Sequence, residues 1–71
     1  MEINYDKDAD AMYIELRKGK FAKNKKVNED IILDLDKQGK VLGIELLSVS
    51  KNLPNEALSE IHVKNLVALT P

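Results

Sequence analysis

Residues 31–47 read Ile31-Ile32-Leu33-Asp34-Leu35-Asp36-Lys37-Gln38-Gly39-Lys40-Val41-Leu42-Gly43-Ile44-Glu45-Leu46-Leu47. Two apolar runs flank a short polar segment that contains a glycine, which is the pattern of an antiparallel β-hairpin. This is the clearest hairpin in the chain, so we build the fold outward from it.

Hydrophobic matching predicts one register for this hairpin. It sets three apolar pairs on a single face, namely Leu35 with Leu42, Leu33 with Ile44, and Ile31 with Leu46. Such a register would leave the other face of the two strands more polar.

Turn chemistry predicts a different register. Asp36 followed by Gly39 is typical of a type I turn closed by a left-handed glycine bulge, which pairs Asp36 with Lys40 and Leu35 with Val41. We favour this bulged turn, which predicts that Asp34 and Glu45 lie on opposite faces.

Further strands and one helix complete the predicted fold. Ile3–Tyr5 is a short strand, and residues 11–18 alternate with period two, which places Met12, Ile14 and Leu16 on one face. Pro54 suits the start of a helix over residues 54–62, whereas Val63–Leu69 fits neither a helix nor a strand and remains open. We therefore expect a single α+β domain over residues 1–71, an antiparallel β-meander of three to four strands with one short C-terminal helix packed on one face.

Composition narrows the possible classes of protein. Seventy-one residues give a small core, and the absence of cysteine excludes disulfides and thiolate metal sites. No secretory signal or membrane-spanning stretch is recognised, so we expect a cytoplasmic protein that does not interact with membranes. Since one small core supplies only about 3 to 5 kcal/mol, self-association as a homodimer is the expected supplement.

Charge is distributed unevenly along the chain. Residues 17–26 hold six cations and no acid, whereas the remaining residues hold five lysines and twelve acids, a balance of −7. This segment could contact a polyanion, with its cations on the phosphates and the ring of Phe21 stacked on a base. The contact residues would be Arg17, Lys18, Lys20, Phe21, Lys23, Lys25 and Lys26. Because the rest of the chain is acidic, nucleic-acid or antitoxin-like binding is an alternative that we do not favour.

Other candidate sites receive little support from the sequence. The alternate acids Asp6, Asp8 and Asp10 resemble a calcium loop, but the glycine and glutamate that such a loop requires are replaced by Ala11 and Arg17. His62 is the single histidine, and we expect it at the surface or capping the helix. We predict no catalytic residue, cofactor or metal ligand.

The carboxylates on the predicted strands give a second alternative. Glu15, Asp34 and Glu45 would lie on neighbouring strands, and carboxylates whose environments differ can act as an acid and a base. Charged side chains on the open face of an antiparallel sheet are the ordinary expectation, so a small enzyme is possible but not favoured.

Two blocks of this sequence resemble a known family. They are residues 5–14, YDKDADAMYI, and residues 32–45, ILDLDKQGKVLGIE. Together they are similar to the domain of unknown function 2283 family of small bacterial and archaeal proteins, over roughly residues 3–58. The resemblance implies a compact α+β domain and no particular activity, and no catalytic residue can be carried across.

The favoured function is a non-catalytic protein–protein interaction or homodimerisation module. The central hairpin has apolar residues on both sides, and one helix can cover only one face of a sheet. The predicted contact surface on the second face consists of Leu33, Leu35, Val41 and Leu47.

Overall fold

The computed structural model describes residues 1–64 as one five-stranded antiparallel sheet followed by two short helices. The elements are β1 (Glu2–Asp6), β2 (Ala11–Glu15), β3 (Lys23–Asn28), β4 (Ile31–Leu35), β5 (Val41–Leu46), α1 (Val49–Asn52) and α2 (Asn55–Ser59). The strand order is β1-β2-β5-β4-β3. The predicted α+β antiparallel class is confirmed, but the prediction of three to four strands is wrong.

The additional strand is β3, in the lysine-rich segment where the sequence predicted no strand. It pairs antiparallel with β4, with Lys25 opposite Leu33 and Lys26 opposite Ile32. The pairing satisfies the backbone groups of β3 that face β4. On the outer side of β3, lysines and a register shift between Lys26 and Asn28 are devices that protect an exposed sheet edge. The residues between β2 and β3 cross the ends of β5 and β4, so the sheet is not a simple meander.

The central hairpin combines both predicted registers. The Asp36 N–H donates to Lys40 O over 3.0 Å, Leu35 pairs with Val41, and Gly39 has a φ of 83°, as the bulged turn requires. A further register shift between Asp34 and Leu35 then makes Leu42 an extra residue. Beyond it the hydrophobic register holds, with Leu33 opposite Ile44 and Ile31 opposite Leu46.

This second shift overturns our prediction for the two hairpin carboxylates. Asp34 lies opposite Gly43, and Glu45 lies opposite Ile32. Because residues 32 and 34 share a face, Asp34 and Glu45 also share a face. The turn alone would have separated them, but the bulge at Leu42 cancels its effect on side-chain direction.

The C-terminal helix is also different from the predicted one. α1 begins at Val49, and α2 holds only five residues, none of them buried. Leu53 and Pro54 have extended backbones between the two helices. Leu53 is extended because a residue that precedes proline is pushed out of the helical region. The expected helix over residues 54–62 therefore does not pack along the sheet.

The structure describes only part of the C-terminal segment for which predictions were made. Ile61–Lys64 form neither helix nor strand, and the rest of the open segment Val63–Leu69 lies outside the described residues. Within residues 1–64, neither helix is long and apolar enough to cross a membrane.

The buried side chains lie at the two ends of the sheet and not at its middle. Leu35 and Leu42 are 7% and 5% exposed beside the β2–β3 connection, where the backbone at Gly19 contacts the Leu42 side chain. Val49 in α1 is 1% exposed at the opposite end. These three are the only buried hydrophobic side chains among the described residues.

Candidate functional site

A row of apolar side chains crosses the middle of the sheet on one face. Cross-strand pairing sets Ile3 opposite Ile14, Ile14 opposite Ile44, and Ile44 opposite Leu33. We call these four residues the apolar row, and Lys25 ends the row on the edge strand β3. All four are only half-buried, so the face that should hold the core of the domain is open at its centre.

α1 closes one end of this face. It leaves a groove of about 530 Å³, whose apolar lining includes Ile31 and Leu46 from the strands together with Val49 and Leu53. Asp10, in a left-handed conformation with a φ of 52°, holds α1 in place. Its carboxylate accepts hydrogen bonds from the Ser50 N–H over 3.0 Å and from Ser50 Oγ over 2.7 Å.

Asp6, Asp8 and Asp10 lie in or beside the turn between β1 and β2, where Asp6 and Asp10 have a structural role. The Asp6 carboxylate accepts hydrogen bonds from the N–H groups of Asp8 and Ala9, as turn-forming aspartates do. The hydrogen bonds from Ser50 also lower the pKa of Asp10 below its ordinary value. Asp10 thus stays ionised where it anchors the start of α1, a role that its spacing in the sequence does not indicate.

The predicted contact residues fall in different environments. Leu33 belongs to the apolar row, whereas Leu35 is buried at the end of the sheet. Val41 pairs with Leu35, and Leu47 lines the groove beside α1. The structure thus brings only Leu33 to the open centre of the face. Ile3, Ile14 and Ile44 escaped our prediction because their shared face depends on the order of the strands.

The opposite face of the sheet carries the carboxylates. Asp34 and Glu45 lie near the Tyr13 hydroxyl, which rests against the backbone at Gly43, and Asn24 Nδ2 donates to Asp34 Oδ1 over 2.6 Å. The pKa of Glu45 is raised mainly by a hydrogen bond with Asp34 and, to a smaller extent, by partial burial. The pKa of Tyr13 is raised mainly by partial burial and, to a smaller extent, by the negative charge of Asp34.

This arrangement favours a structural role for the carboxylates. The raised pKa of Glu45 has a structural origin, because a proton held between the Glu45 and Asp34 carboxyl groups relieves the repulsion of their charges. Glu15 lies on the same face and forms an ion pair with Lys18 over 3.0 Å. The partners of these carboxylates come from within the described chain, as expected of a polar sheet face.

The basic segment is divided between several surfaces. Arg17 forms a 3.3 Å ion pair with Asp36, and Phe21 is 53% exposed in the connection before β3. Lys23 and Lys25 lie on the apolar side of the sheet, whereas Lys26 lies on the carboxylate side. Arg17 and Lys18 are therefore already paired, and the cations do not form one continuous patch.

His62 lies beyond α2 and contacts Glu60. The two side chains are 2.6 Å apart between Nε2 and Oε1, and both are exposed. The imidazole lies neither in the groove beside α1 nor beside the sheet carboxylates.

Comparison with known proteins identifies a family. No curated protein and no solved structure matches the chain. A family model does match it from β1 to the start of α1, which includes the apolar row, the bulged hairpin and the Asp10 anchor. Because this model, described as a protein of unknown function (DUF2283), matches residues 2–50, the chain belongs to that family, as the sequence blocks indicated.

Proposed function

We propose that this chain is a non-catalytic interaction module whose partner is a second copy of itself. The proposal depends on one observation, the apolar row at the centre of a sheet that no described helix covers. Adjacent apolar side chains that stay partly exposed on an uncovered sheet face are typical of an interface in a small domain.

Energetics support a second copy as the cover. A chain of this length obtains only about 3 to 5 kcal/mol from its own core, and here that core is confined to the two ends of the sheet. Completing the burial of a partly exposed Ile or Leu contributes up to about 1 kcal/mol, about a third of the value for full burial. In a two-fold dimer each contact occurs twice, so four such residues give a substantial gain.

The test compares two isoleucines on opposite faces of adjacent strands. Ile44 is at the centre of the apolar row, and Ile32 lies on the carboxylate face; both are half-buried. Replacement by threonine keeps the β-branched shape in each case. We expect Ile44→Thr to weaken the dimer about 30-fold, equivalent to about 2 kcal/mol over two copies, and Ile32→Thr to leave it unchanged.

Sedimentation equilibrium of the wild-type chain at micromolar concentration provides the first readout, with circular dichroism to verify the fold of each variant. Twice the chain mass of 8.0 kDa supports the proposal. A wild-type mass of 8.0 kDa at every concentration would overturn it without reference to any variant. Equal weakening by both variants would also contradict it, because the interface would then not be the apolar face.

A further inference from the structure

The two ends of the sheet have opposite charge. β1 and β2, β3 and β4, and β5 and α1 are joined at one end, which we call the acidic end; its five carboxylates are Asp6, Asp8, Asp10, Glu29 and Asp30, against Lys7 and Lys51. The opposite or basic end holds the β2–β3 connection and the bulged turn. Its cations are Arg17, Lys18, Lys20, Lys37 and Lys40, against Glu2, Glu15 and Asp36, so it keeps an excess of positive charge although Asp36 and Glu15 pair with Arg17 and Lys18. The two edges differ as well, since β3 is rich in lysine and β1 carries Glu2 and Asp6.

The same two ends flank the open face. α1 borders Ile31 and Leu46 at the acidic end, and the β2–β3 connection contacts Leu42 at the basic end. Between them the apolar row runs across the strands from β1 to β3. The face is therefore a trough that is closed at the strand ends and open at the two edge strands.

The floor of this trough is too small to be the whole interface. Five strands about 4.8 Å apart and five residues long cover about 20 by 17 Å, which is about 340 Å² in plan. A stable interface buries about 800 Å² on each partner, so the flanking elements must also contribute.

Crossed packing allows those elements to contribute. If the strands of the two copies ran nearly parallel, the closed ends of one trough would meet the closed ends of the other. Sheets also pack with their strands at right angles, and then the closed ends of each copy lie outside the open edges of its partner. The two troughs interlock, and α1 and the β2–β3 connection become part of the interface.

Resting on the proposed homodimer, we infer that the two copies cross nearly at right angles, with the β3 edge of each against the acidic end of the other. A two-fold dimer has two such orientations, and they differ in which end faces β3. In the one we infer, Lys25 approaches Glu29 of the partner subunit, while the basic end approaches the partner's β1 edge. The other orientation sets β3 against the basic end, where like charges repel.

A charge exchange tests this orientation. In Lys25→Glu each contact sets two acids together, and in Glu29→Lys each contact sets two lysines together. We expect either variant to weaken the dimer about tenfold, because each contact occurs twice. An equimolar mixture of the two variants restores both contacts, so we expect a heterodimer of nearly wild-type affinity.

The matched control is Lys26→Glu, which makes the same charge change one residue along β3 on the opposite face. We expect it to leave the dimer unchanged, and isotope-edited NMR of each mixture distinguishes the heterodimer from the two homodimers. If the wild-type chain dimerises but Lys25→Glu and Glu29→Lys have no effect, or behave like Lys26→Glu, the crossed orientation is wrong while the proposed function stands. Equally strong pairing of Lys25→Glu with the wild-type chain and with Glu29→Lys would mean that Lys25 faces Lys25 of the partner subunit, and would also overturn it. A monomeric wild-type chain would refute the proposed function itself.

Discussion

Val49→Ala tests whether the end of the sheet formed by α1 is a packed part of the domain. Val49 is the most buried hydrophobic side chain described, at 1% exposure. Losing two buried methyl groups at about 0.8 kcal/mol each, with a small term for the cavity, lowers the free energy of unfolding by about 2 kcal/mol. Since a core of this size supplies about 3 to 5 kcal/mol, the variant should lose about half of its stability.

Urea unfolding followed by circular dichroism measures this loss at several protein concentrations, which separates folding from association. A loss of about 2 kcal/mol corresponds to a decrease in Tm of about 10 °C for a domain of this size. Val63→Ala is the control, because Val63 is 87% exposed. A loss below about 0.5 kcal/mol, the range of surface substitutions, would refute the packing of α1 against the sheet.

Three further substitutions test the polar face and the aspartate turn. Gly43→Ala would place a Cβ against the Tyr13 hydroxyl and move the ring away from Asp34. The pKa of Tyr13 should then fall toward its ordinary value. Spectrophotometric titration measures this pKa in a Tyr5→Phe background, in which Tyr13 is the one remaining tyrosine. Because the pKa of Glu45 is raised, the free energy of unfolding of the wild-type chain falls as pH rises through that pKa. Glu45→Gln should therefore be more stable than the wild-type chain at neutral pH and should lose this advantage in acid. Urea unfolding across pH measures the change. The pKa of Asp10 is lowered, so ionised Asp10 contributes to the free energy of unfolding above its ordinary pKa, and this contribution is lost as pH falls. Asp10→Asn should therefore have a lower Tm than the wild-type chain at neutral pH, and the difference in Tm should be smaller in acid.

The central hairpin was predictable because local chemistry determines most of it. Asp36 accepts hydrogen bonds from the N–H groups of Gln38 and Lys40, both over 2.9 Å, and Gly39 adopts a positive φ, as the turn pattern indicated. What sequence reasoning lacked was the extra residue Leu42. Both registers are satisfied because one shift offsets the other, and a rule that chooses between them cannot find that solution.

Other elements depend on contacts that are distant in the sequence. β3 reads as a solvated lysine loop, and only its pairing with β4 makes it a strand. α1 begins at Val49, five residues before Pro54, where the sequence predicted the start of the helix. Its anchor is Asp10, which lies in the turn between β1 and β2. The apolar row requires the strand order, because β2 and β5 are distant in the sequence but adjacent in the sheet.

The carboxylate pair follows from the same compensation in the hairpin. The side chains of residues 33 and 44 must share the apolar face, so those of residues 34 and 45 must share the other face. Two ionised carboxylates beside each other repel, and the hydrogen bond that a proton makes between Glu45 and Asp34 raises the pKa of Glu45. Removing either charge should therefore relieve the same repulsion, so the gains of Glu45→Gln and Asp34→Asn should not add in the double variant. Additive gains would mean that each carboxylate is destabilising by itself, and the explanation by repulsion between the two carboxylates would then be wrong.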